Sequence, residues 1–364
     1  MKIAIDARFY QIPSGLGTYV RELIAGLTRV DKNNHYFLLV NSLDGLDSLP
    51  SNFEPVLVKA DWYSLAEQWR LPCQLYKLKP DLVHFPHFNV PWLYRRPFVT
   101  TIHDLILMTY PSQRATRLSP LLFKLKFLAY KFISRSAVAR SAAVLTVSNF
   151  SRSDIIKFFP WSANKVRVIK LASHWPISEP ARPRQPLFIY VGNSYPHKNV
   201  ETLVRAFDIF YARHQDYSLQ IITNGDYFGH RLADLADQTV AAQAGALIVS
   251  HGLTDQGLAV VYKKASALIL PSFYEGSSLS GLEAMSFGLP IIASDRTCLP
   301  EILGSAASYF KAAEVSDLVL KMEQLVSDQN LRLQLIKAGY QQCAKYTWDR
   351  TAAETLSVYE SSHS

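Results

Sequence analysis

The sequence predicts an α/β protein of two doubly wound, Rossmann-like domains facing a central cleft. Three observations carry this. Short, continuous apolar runs alternate with helical patterns, as strands buried on both faces of a parallel sheet require. The alternation is broken once by a stretch carrying Pro176, Pro180, Pro183 and Pro186, and then restarts. At 364 residues the chain is long enough for two domains of ordinary size.

In chain order, the first array of strands reads Lys2–Asp6, Tyr36–Asn41, Pro55–Lys59, Leu82–Phe85, Phe98–Ile102, Ala143–Val147 and Val166–Ile169. After the prolines come Leu187–Val191, Leu219–Ile222, Ala246–Val249, Ala267–Leu270 and Ile291–Ala293, with helices between them. From Asp317 onward the pattern is helical. The expected division is 1–175, 176–345 and a last segment, 346–364. The chain is 49% hydrophobic and 19% charged, which excludes a disordered class. No apolar run approaches a membrane-spanning helix, and Met1–Asp6 reads as a strand rather than a signal peptide. Cys73, Cys298 and Cys343 are scattered, which suggests neither a disulfide framework nor a zinc site. A cytoplasmic enzyme with reduced thiols is expected. Charge is uneven: residues 1–180 carry a net +11 and residues 181–364 a net −3, so the first half is expected to meet something anionic.

Residues 271–301 are the most informative segment. An apolar run ends at Leu270, the chain turns at Pro271, and a helix starts near Leu279. Free backbone N–H groups and the positive helix end make such a turn an anion site, here formed by Gly276, Ser277, Ser278 and Leu279. Two carboxylates flank it, Glu275 in the turn and Glu283 in the helix, with seven residues between them. Ser280 and Glu283 also fit a capping box, a purely structural use of the second acid.

This segment resembles the paired-glutamate block of glycosyltransferase family 4, the retaining nucleotide-sugar glycosyltransferases with the GT-B fold. The likeness continues through residues 282–294 and Leu299 to Glu301. It implies that Glu275 faces the donor sugar, that Glu283 binds the ribose, and that the last helix, about Trp348–Glu360, crosses back onto the first domain. Family members often have Gly-Phe-Gly where this chain has Gly276, Ser277 and Ser278, which leaves the loop less free to adopt positive φ.

Residues 192–199 follow the first strand of the second array, and Lys198 can meet a phosphate as a compact cation. The stretch resembles the family's glycine-to-Lys-Asn block, which implies that Lys198 binds the donor pyrophosphate. Asn193 stands where many relatives carry arginine. Ser14 to Glu22 follows the first strand, but Val20 spoils a dinucleotide fingerprint. The stretch resembles the family's N-terminal glycine loop, which implies nucleotide-sugar contact for Gly15 and Gly17. His103 and Asp104 sit at the carboxyl end of a strand, where open α/β sheets bind ligands. Resemblance to the family's Thr-x-His-Asp block implies that His103 contacts the transferred sugar. Ser148 reads equally as a helix N-cap or an acceptor-side residue. His84 and His87 read as structural before functional. His251 to Leu253 lies where relatives contact the base.

Pro111–Arg140 holds seven basic residues and no acid. Ser119 and Pro120 make a good helix start. Leu118, Leu121, Leu122, Leu125, Leu128, Phe132 and Ile133 form one stripe, expected to face the core. Phe123, Phe127 and Tyr130 form a second, expected to be surplus. With Lys124, Lys126, Lys131 and Arg135 beside them, Phe123 and Phe127 are expected to contact an anionic membrane surface. No nucleic-acid signature is visible.

The expected activity is transfer of a hexose from a nucleotide-sugar donor to a lipid-linked or polysaccharide acceptor in cell-envelope glycan synthesis. The resemblance implies retention of configuration, and the glycine-to-Lys-Asn block and the run 102–105 look most like members using GDP-mannose; UDP-sugars stay open. Without an Asp-x-Asp triplet, no metal or other cofactor is expected. The expected location is cytoplasmic, peripheral on the inner face of the cytoplasmic membrane. A nucleotide-sugar epimerase and a non-catalytic nucleotide-sugar-binding protein remain as alternatives.

Overall fold

Apolar runs buried on both faces pair in parallel throughout a computed structural model that describes residues 1–110, 119–179 and 183–363. The first unit comprises Met1–His174 and Tyr346–Ser364, and the second Trp175–Lys345. Arg114, Arg117, Leu118 and Pro180 lie outside the described residues.

The first unit begins with β1 (Lys2–Asp6), α1 (Gly15–Val30), β2 (His35–Val40), β3 (Phe53–Leu57), α2 (Glu67–Leu78), β4 (Leu82–Phe85) and β5 (Phe98–Thr101). It continues with α3 (Ile106–Thr109), α4 (Pro120–Arg140), β6 (Ala143–Thr146), α5 (Asn149–Phe158) and β7 (Val166–Val168). Its sheet runs β3-β2-β1-β4-β5-β6-β7. The order reverses between β1 and β4, and ligands bind outside the strand carboxyl ends at such a point.

The second unit holds β8 (Leu187–Val191), α6 (Val200–Tyr211), β9 (Ser218–Thr223), α7 (Tyr227–Ala236), α8 (Val240–Gln243), β10 (Leu247–His251) and α9 (Asp255–Lys264). Then come β11 (Ala267–Leu270), α10 (Leu279–Ser286), β12 (Ile291–Ser294), α11 (Leu299–Leu303), β13 (Ala307–Phe310), α12 (Val315–Ser327) and α13 (Gln329–Cys343). The sheet order is β10-β9-β8-β11-β12-β13, reversing between β8 and β11.

The last helix, α14 (Trp348–His363), belongs to the first unit, as the fold expectation required. It lies against α1, and a glycine makes the crossing possible: a Cβ on Gly26 would come within 2.8 Å of both Ala352 Cβ and the Trp348 carbonyl oxygen. Tyr359 is buried and its hydroxyl lies 2.7 Å from His84 Nδ1, while His84 Nε2 lies 2.8 Å from Thr101 Oγ1. His84 therefore ties α14 to the strands β4 and β5. Its burial, and secondarily the neighbouring His103, push its pKa down to about 3, so it is neutral.

Helix α4 corrects the expectation about its two stripes. Tyr130 is buried and meets Phe88 edge-on at 4.8 Å, and the Phe123 and Phe127 rings stack at 6.1 Å on the same half-buried side. Ser134, Ala137 and Val138 bury the last turns. The leucines are the exposed face: Leu121 is 68% and Phe132 57% exposed, and Leu122, Leu125 and Leu128 stand out between them. The aromatic stripe turns inward because Phe88, after β4, supplies an edge-to-face partner. Lys131 caps it, with Nζ 4.6 Å from the Phe127 ring. Among the described residues no helix is long and apolar enough to cross a membrane.

Candidate active site

The site builds from two loops at the reversal point of the second sheet. After β8 the chain makes a short 3-10 turn, Pro196–Lys198, and Asn199 takes a left-handed conformation (φ 55°) before α6. Asn199 holds that turn against the next loop: its Nδ2 donates to the carbonyls of Pro271, 2.9 Å, and Ala312, 2.8 Å. The Phe273 N–H donates to the His197 carbonyl at 2.8 Å. The β8 and β11 loops are thus fixed to one another, which brings Lys198 to Glu275.

Lys198 Nζ lies 2.6 Å from Glu275 Oε2, with the two side chains 18% and 14% exposed. Ser272 Oγ donates to the other carboxylate oxygen at 2.8 Å, and the Glu275 N–H donates to Thr297 Oγ1 at 3.1 Å. Both oxygens of Glu275 are oriented, and its cation is one that can also bind a phosphate.

Helix α10 starts directly behind this pair. Ser278 is its N-cap but makes no side-chain cap hydrogen bond, and Ser277 Oγ is buried without a partner. Leu279 opens the helix. Neither Gly276, Ser277 nor Ser278 adopts a positive φ, so the serines cost the loop nothing in backbone strain. The capping box does not form: Ser280 lies inside the helix, and Glu283 Oε2 accepts from the Tyr262 hydroxyl at 2.9 Å. Glu283 is buried, and burial together with this carboxylate raises the Tyr262 pKa well above its ordinary value. Asn193, on the β8 loop, uses its carbonyl to accept from the Tyr190 hydroxyl at 2.6 Å. His251 ends β10, an edge strand, two strands away from β8.

In the first unit, Gly15 is exposed at the start of α1. Gly17 has a reason within its own chain: a Cβ there would lie 1.9 Å from the Ile12 carbonyl oxygen. His103 follows β5 and donates from Nε2 to the Pro86 carbonyl at 3.0 Å, with Tyr19 edge-on at 4.7 Å. That bond assigns the proton to Nε2 and leaves Nδ1 an acceptor. Desolvation pushes the His103 pKa down to about 4, against the raising effect of the Pro86 carbonyl, so the ring is neutral near pH 7. Ser148 is the N-cap of α5, accepting from Ser151 N–H at 3.0 Å.

The sequence reading missed a buried ion cluster at the reversal point of the first sheet. Arg8 Nε and Nη2 each lie 2.7 Å from an Asp6 carboxylate oxygen, and Nη2 lies 2.6 Å from Glu67 Oε1. Arg8 Nη1 donates to the Ala60 carbonyl at 2.8 Å. Glu67 Oε2 accepts from Asn89 Nδ2 at 2.7 Å and from the Tyr63 N–H at 2.9 Å. Asp6 and Arg8 stand together in the sequence, a readable signal; Glu67 does not.

Two Rossmann-like domains with a final helix returning to the first define the GT-B architecture. Sucrose-phosphate synthase from Thermosynechococcus elongatus has the same fold, with a TM-score of 0.79 over 99% of this chain and 98% of that one at 17% identity. The pattern described as "Glycosyltransferase Family 4" matches residues 13–171, and that of "Glycosyl transferases group 1" matches residues 174–342. The chain belongs to glycosyltransferase family 4. It is similar to O-antigen chain mannosyltransferase B of Escherichia coli, 25% identical over 397 residues that span 99% of this chain and 100% of that one. It is also similar to the MMP alpha-(1->4)-mannosyltransferase of Mycolicibacterium hassiacum, 30% identical over 242 residues, 64% of this chain and 57% of that one.

Proposed function

We propose that the protein transfers mannose from GDP-mannose, with retention and without a metal, to a lipid-linked or polysaccharide acceptor in cell-envelope glycan synthesis. The observation that carries this reading is the Lys198–Glu275 pair, with Ser277 Oγ unpartnered beside it at the start of α10. A diphosphate draws Lys198 toward itself and takes hydrogen bonds from Ser277 and the Gly276–Leu279 backbone. These groups stabilise the charge that develops as the sugar–phosphate bond breaks. The acceptor oxygen bonds to the anomeric carbon on the same face, and its proton passes to the departing phosphate oxygen. Glu275 orients the sugar, Glu283 holds the ribose, and His103 accepts from a sugar hydroxyl through Nδ1. Mannose is favoured by the similarity to two mannosyltransferases.

Nucleotide release from a panel of GDP- and UDP-sugars, with and without membrane lipid extract, tests this in wild type and Glu275→Gln. Lipid-stimulated release from GDP-mannose, lost in the variant and unaffected by a chelator, is the expected result. Release only from a UDP-sugar would overturn the donor. An altered sugar nucleotide formed without acceptor would mark an epimerase, and tight binding without turnover a non-catalytic protein.

The exposed leucine face of α4 belongs to the same reading. With Lys124, Lys126, Lys131 and Arg135 all exposed beside it, it suits an anionic bilayer on the inner face of the cytoplasmic membrane. Leu121→Gln with Leu125→Gln is expected to abolish co-sedimentation with phosphatidylglycerol vesicles and leave thermal stability unchanged, whereas Phe127→Gln should lower stability. Wild-type protein that stays in the supernatant at low salt would sink the membrane role.

A further inference from the structure

The buried ion cluster of the first domain supports something on its outer side. Glu67 Oε2 accepts from the Tyr63 N–H, which pins a non-glycine residue at φ 61°. Strain of that kind persists only where surrounding contacts over-determine it, and it gathers at functional sites. The pinned segment displays two aromatic rings. Trp62 stacks on Phe9 at 4.1 Å, with ring planes 18° apart. Tyr63 is 64% exposed and stands edge-on to His87 at 6.1 Å. His87 also neighbours Phe9, at 5.9 Å between ring centres.

Two polar atoms inside this group are buried with no partner: Trp62 Nε1, a donor, and His87 Nδ1. Buried polar groups are otherwise hydrogen-bonded, because leaving one unmet is costly. Burial first, and the nearby His103 second, push the His87 pKa down to about 3, so the ring is neutral and carries one acceptor nitrogen. The group lies beyond the carboxyl ends of β1 and β4, where the first sheet reverses.

We infer that Phe9, Trp62, Tyr63 and His87 form a subsite for one pyranose ring of the acceptor. This rests on the transferase reading. A pyranose offers what the group lacks: an apolar C–H face for the aromatic rings, and hydroxyls that both donate and accept, matching Trp62 Nε1 and His87. A nucleotide base would satisfy the stacking, but the cluster behind the rings is anionic as well as cationic and offers no free phosphate partner. Arg8 and Glu67 act as positioning residues that hold the Trp62–Tyr63 segment.

Saturation-transfer NMR with the methyl pyranosides of mannose, glucose, galactose and N-acetylglucosamine tests the subsite on the full chain. At least one pyranoside is expected to bind wild type. Trp62→Ala should weaken it about tenfold, matching one hydrogen bond plus stacking. Trp62→Phe keeps the ring without the N–H, so it should fold as wild type and give a smaller loss. Glu275→Gln, in the other domain, should bind normally. No binding to wild type, unchanged binding in both Trp62 variants, or equal loss in Glu275→Gln would overturn the subsite. Nucleotide release separates the two readings: intact turnover with an unchanged acceptor KM in Trp62→Phe and Trp62→Ala defeats the subsite alone. Trp62-dependent pyranoside binding without turnover of any donor defeats the transferase reading alone.

Discussion

Each of the two sheets places a cation–carboxylate contact of 2.6 Å at its reversal point, yet the two contacts are built for opposite purposes. In the first domain Arg8 is fully buried, and its planar fork is used up by Asp6, Glu67 and the Ala60 carbonyl. In the second, Lys198 meets Glu275 as a point charge, partly exposed, beside a hydroxyl with no partner. A guanidinium locked in a fork is a permanent fixture, whereas an ammonium on a flexible stem can change partners. The same position in the same architecture thus holds a brace in one domain and, on the proposed reading, an exchangeable contact in the other.

The largest expected effect tests the brace. Arg8→Ala leaves Asp6 and Glu67 buried without their cation, and is expected to cost about 3–5 kcal/mol of first-domain stability in denaturant unfolding. Lys198→Ala is expected to lower nucleotide release about 10²–10³-fold and to cost less stability than Arg8→Ala, because it leaves one partly exposed carboxylate rather than two buried ones. Equal destabilisation by both variants would erase the distinction between brace and exchangeable contact.

A smaller effect sharpens the comparison through pH. The neutral histidines His84, His87 and His103 all sit in the first domain, with pKa values pushed by burial to about 3, 3 and 4. Above pH 6.5 the folded and unfolded chains both carry them neutral, and stability is complete. As pH falls from 6.5 toward 4, the unfolded chain takes up protons that the folded one refuses, so stability is progressively lost. The first domain is expected to melt earlier at pH 4.5 than at pH 7. Calorimetry showing only the second domain affected would contradict this.

The strands were readable because parallel pairing buries them as continuous apolar runs; β13, with serine and tyrosine between Ala307 and Phe310, was too short and mixed to stand out. Lys198 and Glu275 were each named by resemblance, but nothing in a separation of 77 residues says that they touch. That contact depends on the left-handed Asn199 holding both loops. In α4, periodicity separated the leucine stripe from the aromatic one correctly and could not choose which faces inward, since both are apolar. The choice is made by Phe88, outside the helix. The Arg8 cluster stayed hidden for a similar reason, because Glu67 arrives from another element.

The return of α14 gives the chain a history as well as a shape. The whole second domain, Trp175–Lys345, is spelled out between the two parts of the first. At about 5–20 residues per second of synthesis, that interval is roughly 10–30 s. Throughout it the α1 surface around Gly26 waits without Trp348, Ala352 and Tyr359. The second domain, being continuous, is expected to become protease-resistant without α14, although its sequence comes later, whereas the first is not. Released chains that end at Lys345 would show this as a resistant second domain beside a first domain still open to cleavage.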